Sequence, residues 1–334
     1  MSLQGRRVGL ALALALTLVA ASCGDDDATE TTASTAVVTT ATSPVTTEAP
    51  VTTEAPVTTE APATTEAPAT TEAPATTEAL SPEDLSATEA TPGEPAVIQA
   101  PMASIVVDGR IDDWMGIPGL ATVLHPIGGV TDVDDSPATV HVAHDGEQVY
   151  VLVTVGDDYD FVDGDLHLTG ALALQFAIDA AAGMAMGAEE EDDEVSLGMV
   201  DIWHWELECP VGAESGGAVS GAGEGSPGND DACNFDDEYA TVPDERDDDD
   251  QGGAENSLLG VFDHSDPVNG SDGTWFFEMS RPLQTADATD AQFVPGGSAL
   301  LVLAYWDADQ GPDGWEDDGH VVSADLGWIE VVFG

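Results

Sequence analysis

Residues 199–210 read MVDIWHWELECP and place a histidine, His204, between two tryptophans, Trp203 and Trp205. An imidazole can ligate a metal or carry a proton, and indole rings can form the wall of a flat pocket. The alternation predicts a β-strand in which both tryptophans face one way and His204 faces the other. Either the tryptophan face packs as core, with His204 hydrogen-bonded outside it, or it lines an apolar pocket.

Three acidic stretches bring many carboxylates close together: GDDYDFVDGD, DERDDDD and DADQGPDGWEDD. Ca²⁺ prefers oxygen ligands, so one of them could hold a calcium ion, although none has the spacing of an EF-hand loop. The alternative is a solvated acidic surface. The sequence contains no nucleophile elbow, HExxH motif or phosphate-binding loop. We therefore predict that the chain is not an enzyme by itself.

The charge of the chain excludes several classes of partner. The 334 residues carry 65 acidic residues against five arginines, with no lysine, for a formal net charge of -60. Residues 96–334 hold 51 of these acids and three of the arginines, so the acidity belongs to the folded part. Such a surface repels phosphate backbones, and no nucleic-acid partner is expected. Salt screens the self-repulsion of these charges, which indicates a salt-rich habitat.

Residues 1–23 predict export. Arg6 and Arg7 precede an apolar run that is too short for a comfortable membrane span and fits a secretory leader. The small residues before Cys23, in AASC, resemble a bacterial lipobox. This resemblance implies cleavage before Cys23, lipidation of its thiol, and a lipid anchor on the outer face of the cell membrane. The alternative is an ordinary signal peptide with an incidental cysteine.

Residues 24–95 predict a disordered stalk. From residue 45 the sequence repeats a six-residue unit such as VTTEAP. The proline in every unit blocks helix and sheet, while threonine and glutamate keep the backbone solvated. We expect an extended spacer, O-glycosylated on its threonines, between the anchor and a folded domain.

Residues 96–334 predict an all-β domain. Short alternating runs such as ATVHVAHD, QVYVLVTVGDD and ALLVLAYWDAD are separated by Gly, Asp, Pro and Asn clusters, as in an antiparallel sandwich or barrel. Residues 210–256 break the pattern, and we interpret them as an acidic, partly mobile insertion. Cys209 and Cys233 are expected to form a disulfide at its base, because the chain is exported.

Six segments occur in a family-like order: VDGRIDDW, VYVLVTVGDD, LALQFAID, VDIWHWE, FEMSRPL and LAYWDAD…DGHVVSADLGW. Together they resemble the ethylbenzene-dehydrogenase-related haem-binding domain over roughly residues 105–333, apart from the insertion. This family contains the haem b subunits of some molybdenum enzymes and is related to the sugar-binding and cytochrome sandwiches of the DOMON group. The resemblance implies an antiparallel β-sandwich that binds haem b non-covalently, in agreement with the lack of a CxxCH motif.

The resemblance also implies a ligand set. The axial ligands in the family are a methionine and a lysine, and His320, an ordinary haem ligand, lies where the family has its lysine. Met186 best matches the methionine position and Met199 is the runner-up, although either could instead fill a gap in the core. Arg281 could meet a haem propionate or simply pair with a carboxylate. Trp203 would lie against the haem.

Two functions follow. The resemblance implies electron transfer or haem sensing by a surface-anchored domain, with a molybdopterin oxidoreductase as redox partner. The alternative is a haem-free carbohydrate-binding or adhesion module that grips sugar through exposed aromatic side chains such as Trp203, Trp306 and Trp315.

Overall fold

The computed structural model describes most of the chain after residue 80. The described residues are 81, 84–91, 93–126, 134–184, 198–212, 219–220, 233–242, 245–248, 258–309, 314–315 and 320–334. Cys23, the predicted leader, most of the predicted stalk and Met186 lie outside this part. Within it, no helix is long and apolar enough to cross a membrane.

The described residues form fifteen β-strands and three short 3₁₀ turns, and the all-β prediction is confirmed. The strands are β1 (Ala87–Glu89), β2 (Val97–Ala100), β3 (Gly119–Pro126), β4 (Ser136–His144), β5 (Gln148–Tyr159), β6 (Ala171–Ala177), β7 (Val200–Glu206), β8 (Val219–Ser220), β9 (Phe235–Val242), β10 (Glu245–Asp248), β11 (Leu259–His264), β12 (Ser271–Pro282), β13 (Ser298–Trp306), β14 (Val321–Val322) and β15 (Ile329–Phe333). The 3₁₀ turns are Asp112–Trp114, Leu166–Leu168 and Ala324–Leu326.

Two groups of strands build the sandwich. The first sheet has the order β8-β11-β12-β5-β4-β3, with β1 beside β3, and the second has the order β10-β9-β7-β6-β13. Both β14 and β15 pair with β13; β14 also pairs with β3, and β15 pairs with β2. Nearly all the pairs are antiparallel, the parallel ones being β1 with β3 and β15 with β2. These strands begin before the expected domain boundary at residue 96, and β8, β9 and β10 lie inside the predicted insertion.

Large apolar side chains fill the space between the sheets because the strands alternate with period two. Trp203 and Trp205 of β7 face this core together with Trp275 and Phe277 of β12. Trp205 stacks on Phe235 at 4.0 Å between ring centroids. Both rings lie against Gly260, where an added Cβ atom would come within 2.5 Å of Trp205. The sequence expectation that the tryptophans of β7 pack as core therefore describes the structure.

The outer face of the first sheet is covered by its own chain segment, residues 103–117, and we call it the first outer face. Its apolar members include Trp114, Leu152 and Phe276. Glu278 lies beneath the segment, where Trp114 donates its indole N–H to Oε1 at 2.7 Å. The backbone N–H groups of Asp108 and Gly109 both donate to Oε2 at 2.9 Å. Glu278, which belongs to FEMSRPL, thus holds the VDGRIDDW segment against the sheet.

Candidate functional site

The outer face of the second sheet, which we call the second outer face, has a floor of small side chains. Ala171 and Ala173 on β6 and Ala304 on β13 are adjacent in register, and all three are buried. They alternate with Leu172, Leu174 and Tyr305, which point into the core. Because alanine occupies little space, larger groups on neighbouring strands can close over this floor.

An aromatic layer lies over the floor. Trp306, at the end of β13, stacks on His320 with 4.7 Å between centroids and an interplanar angle of 27°. Trp315 lies 6.1 Å from Trp306 and contacts His167 at 4.6 Å, edge to face. Its indole N–H donates to the carbonyl of Thr169 at 2.8 Å, which fixes the ring orientation. Trp306 and Trp315 are only 7% and 8% exposed, so both rings are buried, unlike the exposed aromatic side chains that the sequence predicted.

Polar side chains of β7, β9 and β10 lie beside this aromatic layer. His204 faces outward from β7 and lies 5.5 Å from Trp306, as the strand alternation predicts. Arg246, on the edge strand β10, reaches His204 Nδ1 at 2.6 Å, Glu238 Oε2 at 3.3 Å and Glu206 Oε1 at 3.5 Å. One guanidinium therefore links an imidazole and two carboxylates.

His204 has both ring nitrogens close to charged groups. The guanidinium of Arg246 lies 2.6 Å from Nδ1 and 3.4 Å from Nε2. Glu238 Oε2 lies 3.3 Å from Nδ1, and Glu206 Oε1 lies 3.6 Å from Nε2. The imidazole therefore lies between one guanidinium and two carboxylates.

Two neighbouring side chains on this face, Gln175 and Glu238, each have a buried acceptor oxygen that receives no hydrogen bond from the described residues. Gln175 on β6 and Glu238 on β9 lie in one row across the sheet, because both are paired with Ile202 of β7. Gln175 donates its amide to the carbonyl of Gly183 at 2.8 Å, but its Oε1 atom has no hydrogen-bond partner. The Oε1 atom of Glu238 likewise has none. Such atoms cost free energy, on the order of 1–3 kcal/mol each, unless something donates to them.

Glu238 is ionised at neutral pH. Its burial acts to raise the pKa, but the opposite charge of Arg246 and the contact with His204 together outweigh burial and hold the pKa of Glu238 below its usual value. The unsatisfied Oε1 atom is thus a carboxylate oxygen, which accepts hydrogen bonds more strongly than a neutral carbonyl.

The structure places Trp203 and Arg281 in the core. Trp203 packs against Phe176 with 4.9 Å between centroids and is fully buried. The guanidinium of Arg281 lies 5.2 Å from the ring centre of Trp203. It pairs with Asp201 at 2.7 Å and Asp290 at 2.5 Å, with Asp237 at 3.7 Å. Arg281 therefore has the carboxylate-pairing role that the sequence left open beside the propionate role.

The predicted iron ligands lie in different settings. His320 precedes β14 and stacks on Trp306. Met199 lies half-buried in the turn before β7, where its backbone N–H donates to Asp179 Oδ2 at 3.0 Å. The nearby Met184 packs against the second outer face. Met186 falls outside the described residues.

Cys209 and Cys233 form a disulfide that joins the end of β7 to the start of β9. The bridge holds these two adjacent strands at the base of the predicted insertion, with Cα atoms 4.8 Å apart. The sequence expectation for this pair therefore describes the structure.

Two of the acidic stretches meet at one end of the sandwich. Carboxylate oxygens of Asp158, Asp160 and Asp309 lie within 4.8 Å of one another, a donor set of the type that Ca²⁺ prefers. Burial and neighbouring carboxylates raise the pKa of Asp160 to about 6, and burial with the charge of Asp307 raises that of Asp157 to about 7. A second group, Asp201, Asp237 and Asp290, surrounds Arg281, which already supplies a cation.

Comparisons with known proteins found similarity only at the level of structure. No protein-family model matches the chain, and no curated protein matches its sequence. A family 9 carbohydrate-binding module from Caldicellulosiruptor kristjanssonii with glucose is 12% identical, with TM-score 0.36, over 71% of this chain and 95% of that one. The same module with cellotriose gives 11% identity and TM-score 0.35, over 71% and 93%. A Bacteroides uniformis protein provisionally described as carbohydrate-binding gives 11% identity and TM-score 0.38, over 75% and 99%.

The haem prediction is wrong. The three similar structures are of carbohydrate-binding proteins and not of haem proteins, so the resemblance to the haem-binding domain, the haem b cofactor and the electron-transfer function are corrected. The geometry gives the physical reason. Trp203 and Arg281, which were expected to face a haem, are enclosed by core side chains and carboxylates. The ring of His320 is stacked on Trp306.

Sequence reasoning missed Gln175, Glu238 and Arg246. The sequence ALALQFA contained the signal for the floor, because small residues alternate with large ones there and so place small side chains on one face of β6. No comparable signal marked Glu238 and Arg246, because they lie in the segment that we interpreted as an insertion.

Proposed function

We propose that the domain is a haem-free carbohydrate-binding module, not an enzyme, and that it binds saccharide on the second outer face. The observation that carries this proposal is the pair of buried acceptor oxygens, on Gln175 and Glu238, on the same face as Trp306 and Trp315. Saccharide hydroxyls can donate the hydrogen bonds that these two oxygens do not receive. The apolar faces of sugar rings can pack on indole rings. One ligand class therefore satisfies both features.

The chemistry of the border supports the same class. His204 Nε2, Glu206 and Arg246 offer donors and acceptors within a short span of the aromatic layer. Binding sites combine an apolar surface with a few convergent polar groups that fix orientation. Because Trp306 and Trp315 are buried, we expect their side chains to move on binding, as interface side chains commonly do.

The predicted leader and stalk give this module its setting. We propose that the lipid anchor at Cys23 and the repeat stalk display the domain outside the cell, away from the membrane. A Cys23→Ser protein should then leave the membrane fraction, and a variant that stayed equally lipid-bound would contradict the anchor.

The binding test is calorimetric titration of the mature protein with neutral and amino oligosaccharides, comparing Trp306→Ala with wild type. We expect the variant to bind at least about ten-fold more weakly, because it removes the indole ring that contacts Trp315, His320 and His204. Phe276→Ala is the matched control, since Phe276 is an aromatic residue of similar exposure (8%) on the first outer face. Equal losses in both variants, or no saccharide binding by the wild type, would overturn the proposal.

A further inference from the structure

The charges on the second outer face do not balance. Glu206, Glu238 and Asp236 all act on Arg246, whose pKa they raise while burial opposes the shift. Asp236 is directly paired with His204 in the sheet register, so it belongs to the same face. In the described part of the site, three carboxylates therefore face one guanidinium and one imidazole, so acidic groups outnumber basic ones.

The unsatisfied Oε1 atom of Glu238 gives this excess of negative charge a specific location. Glu238 is 1% exposed, and in the described part of the chain nothing donates a hydrogen bond to its Oε1 atom. A buried carboxylate oxygen gains most from a donor that is itself charged, because charge-assisted hydrogen bonds are about twice as strong as neutral ones. A hydroxyl would satisfy the oxygen, whereas an ammonium group would satisfy it and also offset the excess charge.

The overall charge of the domain also favours a cationic ligand. With 51 acidic residues and three arginines after residue 95, the surface attracts cations and repels anions over distances beyond direct contact. Uronic acids and sulfated sugars are disfavoured both by this field and by the local carboxylates. Cationic saccharides are favoured by both.

We infer that the second outer face prefers an amine-bearing saccharide, and that Glu238 is the residue that recognises the ammonium group. This inference rests on the proposed carbohydrate function and adds the class of ligand. Arg246 is the internal competitor for the same carboxylates, since its side chain is 36% exposed and comes from the edge strand β10. Removing Arg246 should therefore strengthen the preference, and neutralising Glu238 should weaken it.

The test compares two ligands that differ at one atom position per ring. Cellotriose carries a hydroxyl where the β-1,4-linked trimer of glucosamine carries an amine. At low ionic strength we expect wild type to bind the glucosamine trimer about ten-fold more tightly than cellotriose, with the ratio falling as salt rises. Glu238→Gln should bring the ratio close to one, and Arg246→Gln, a change on an edge strand, should increase it.

A control separates local recognition from the general field. Asp272→Asn removes one exposed carboxylate from β12 in the first sheet, and it should leave the ratio as in wild type. If Asp272→Asn lowers the ratio as much as Glu238→Gln does, the field alone accounts for the preference and the role of Glu238 is overturned. If cellotriose binds as tightly as the glucosamine trimer, the amine preference is wrong while the proposed function stands. If neither trimer binds, both are wrong.

Discussion

The two outer faces of the sandwich each bury a glutamate, and they treat it differently. On the first outer face, both oxygens of Glu278 accept hydrogen bonds, from Trp114 and from the backbone of Asp108 and Gly109. On the second, Glu238 is paired through Oε2, and its Oε1 atom has no donor. A buried carboxylate whose two oxygens both accept hydrogen bonds is part of the architecture. A buried carboxylate with one oxygen that accepts none indicates a place for a ligand.

The coverings of the two faces differ in the same way. Residues 103–117 seal the first outer face with contiguous apolar side chains, including Ile105, Ile111 and Trp114. The second outer face is covered by Trp306, which stacks on His320 and contacts the tilted ring of Trp315, and by an arginine from an edge strand. The first arrangement stabilises the fold, and the second leaves polar groups available for recognition.

The largest expected effect is on stability at the first outer face. Glu278→Ala would leave the buried indole N–H of Trp114 and two partly buried backbone N–H groups without an acceptor, and we expect a loss of roughly 3 kcal/mol in the free energy of unfolding. Glu238→Ala should cost only about 1 kcal/mol, because one of its oxygens has no bond to lose. Chemical denaturation of the two variants measures the difference. Equal losses would break the comparison between the faces.

The two outer faces should also differ, by a smaller amount, in how they make the stability of the fold depend on pH. Burial raises the pKa of Glu278 to about 7, although its three hydrogen bonds act to lower it. The folded state then binds the proton more tightly than the unfolded state, so this contribution to stability is lost as the pH rises through about 7. Glu238, whose pKa is lowered, contributes stability above its unfolded pKa that is lost as the pH falls below it.

The measurement is thermal unfolding from acidic to mildly alkaline pH at constant ionic strength. Relative to wild type, Glu278→Gln should flatten the decline in melting temperature near neutral pH, and Glu238→Gln should flatten the decline on the acid side. Asp157, with a pKa raised to about 7, adds to the neutral-pH decline in wild type and in both variants. Identical pH profiles for the two variants would contradict the assignment of opposite shifts.

The smallest and least local effect concerns salt. The self-repulsion of 51 acidic residues weakens as the Debye length shrinks from about 10 Å at 0.1 M to about 3 Å at 1 M, so the melting temperature should rise with NaCl. Both the Glu278→Ala and Glu238→Ala variants should rise in parallel with wild type, because the field belongs to the whole domain. A flat or falling melting temperature in wild type would show that repulsion does not limit its stability.

Much of the fold could be predicted, because period-two alternation reports which side of a strand faces the core. It assigned Trp203 and His204 to opposite faces of β7. It could not predict that Glu278 meets Trp114, which lies 164 residues away in the chain, since alternation does not say which segment covers an outer face. The motifs VDGRIDDW and FEMSRPL were quoted as signs of a family, and the structure shows that they bind each other.

The candidate site was hidden for a different reason. The strand β9 reads FDDEYATV, and acidic residues are almost never buried unless they are paired. A sequence reading therefore assigns such a run to solvent, yet Asp236, Asp237 and Glu238 are all buried. Their burial depends on β7 and Arg281, which are distant in sequence, and on Arg246, which follows Glu238 by eight residues on the neighbouring strand β10. The pairing of Arg281 with carboxylates is also a reason why the haem interpretation was wrong, because carboxylates enclose the arginine that was expected to meet a propionate.

The most direct test of the central claim is the response of the tryptophan indole N–H signals to saccharide in a two-dimensional ¹H–¹⁵N NMR spectrum, each assigned by a Trp→Phe variant. On titration with the glucosamine trimer, we predict that the signals of Trp306 and Trp315 shift while that of Trp114, held by Glu278 on the first outer face, stays in place. A titration to saturation in which Trp114 shifts and Trp306 and Trp315 do not would place the ligand on the other face and contradict the account.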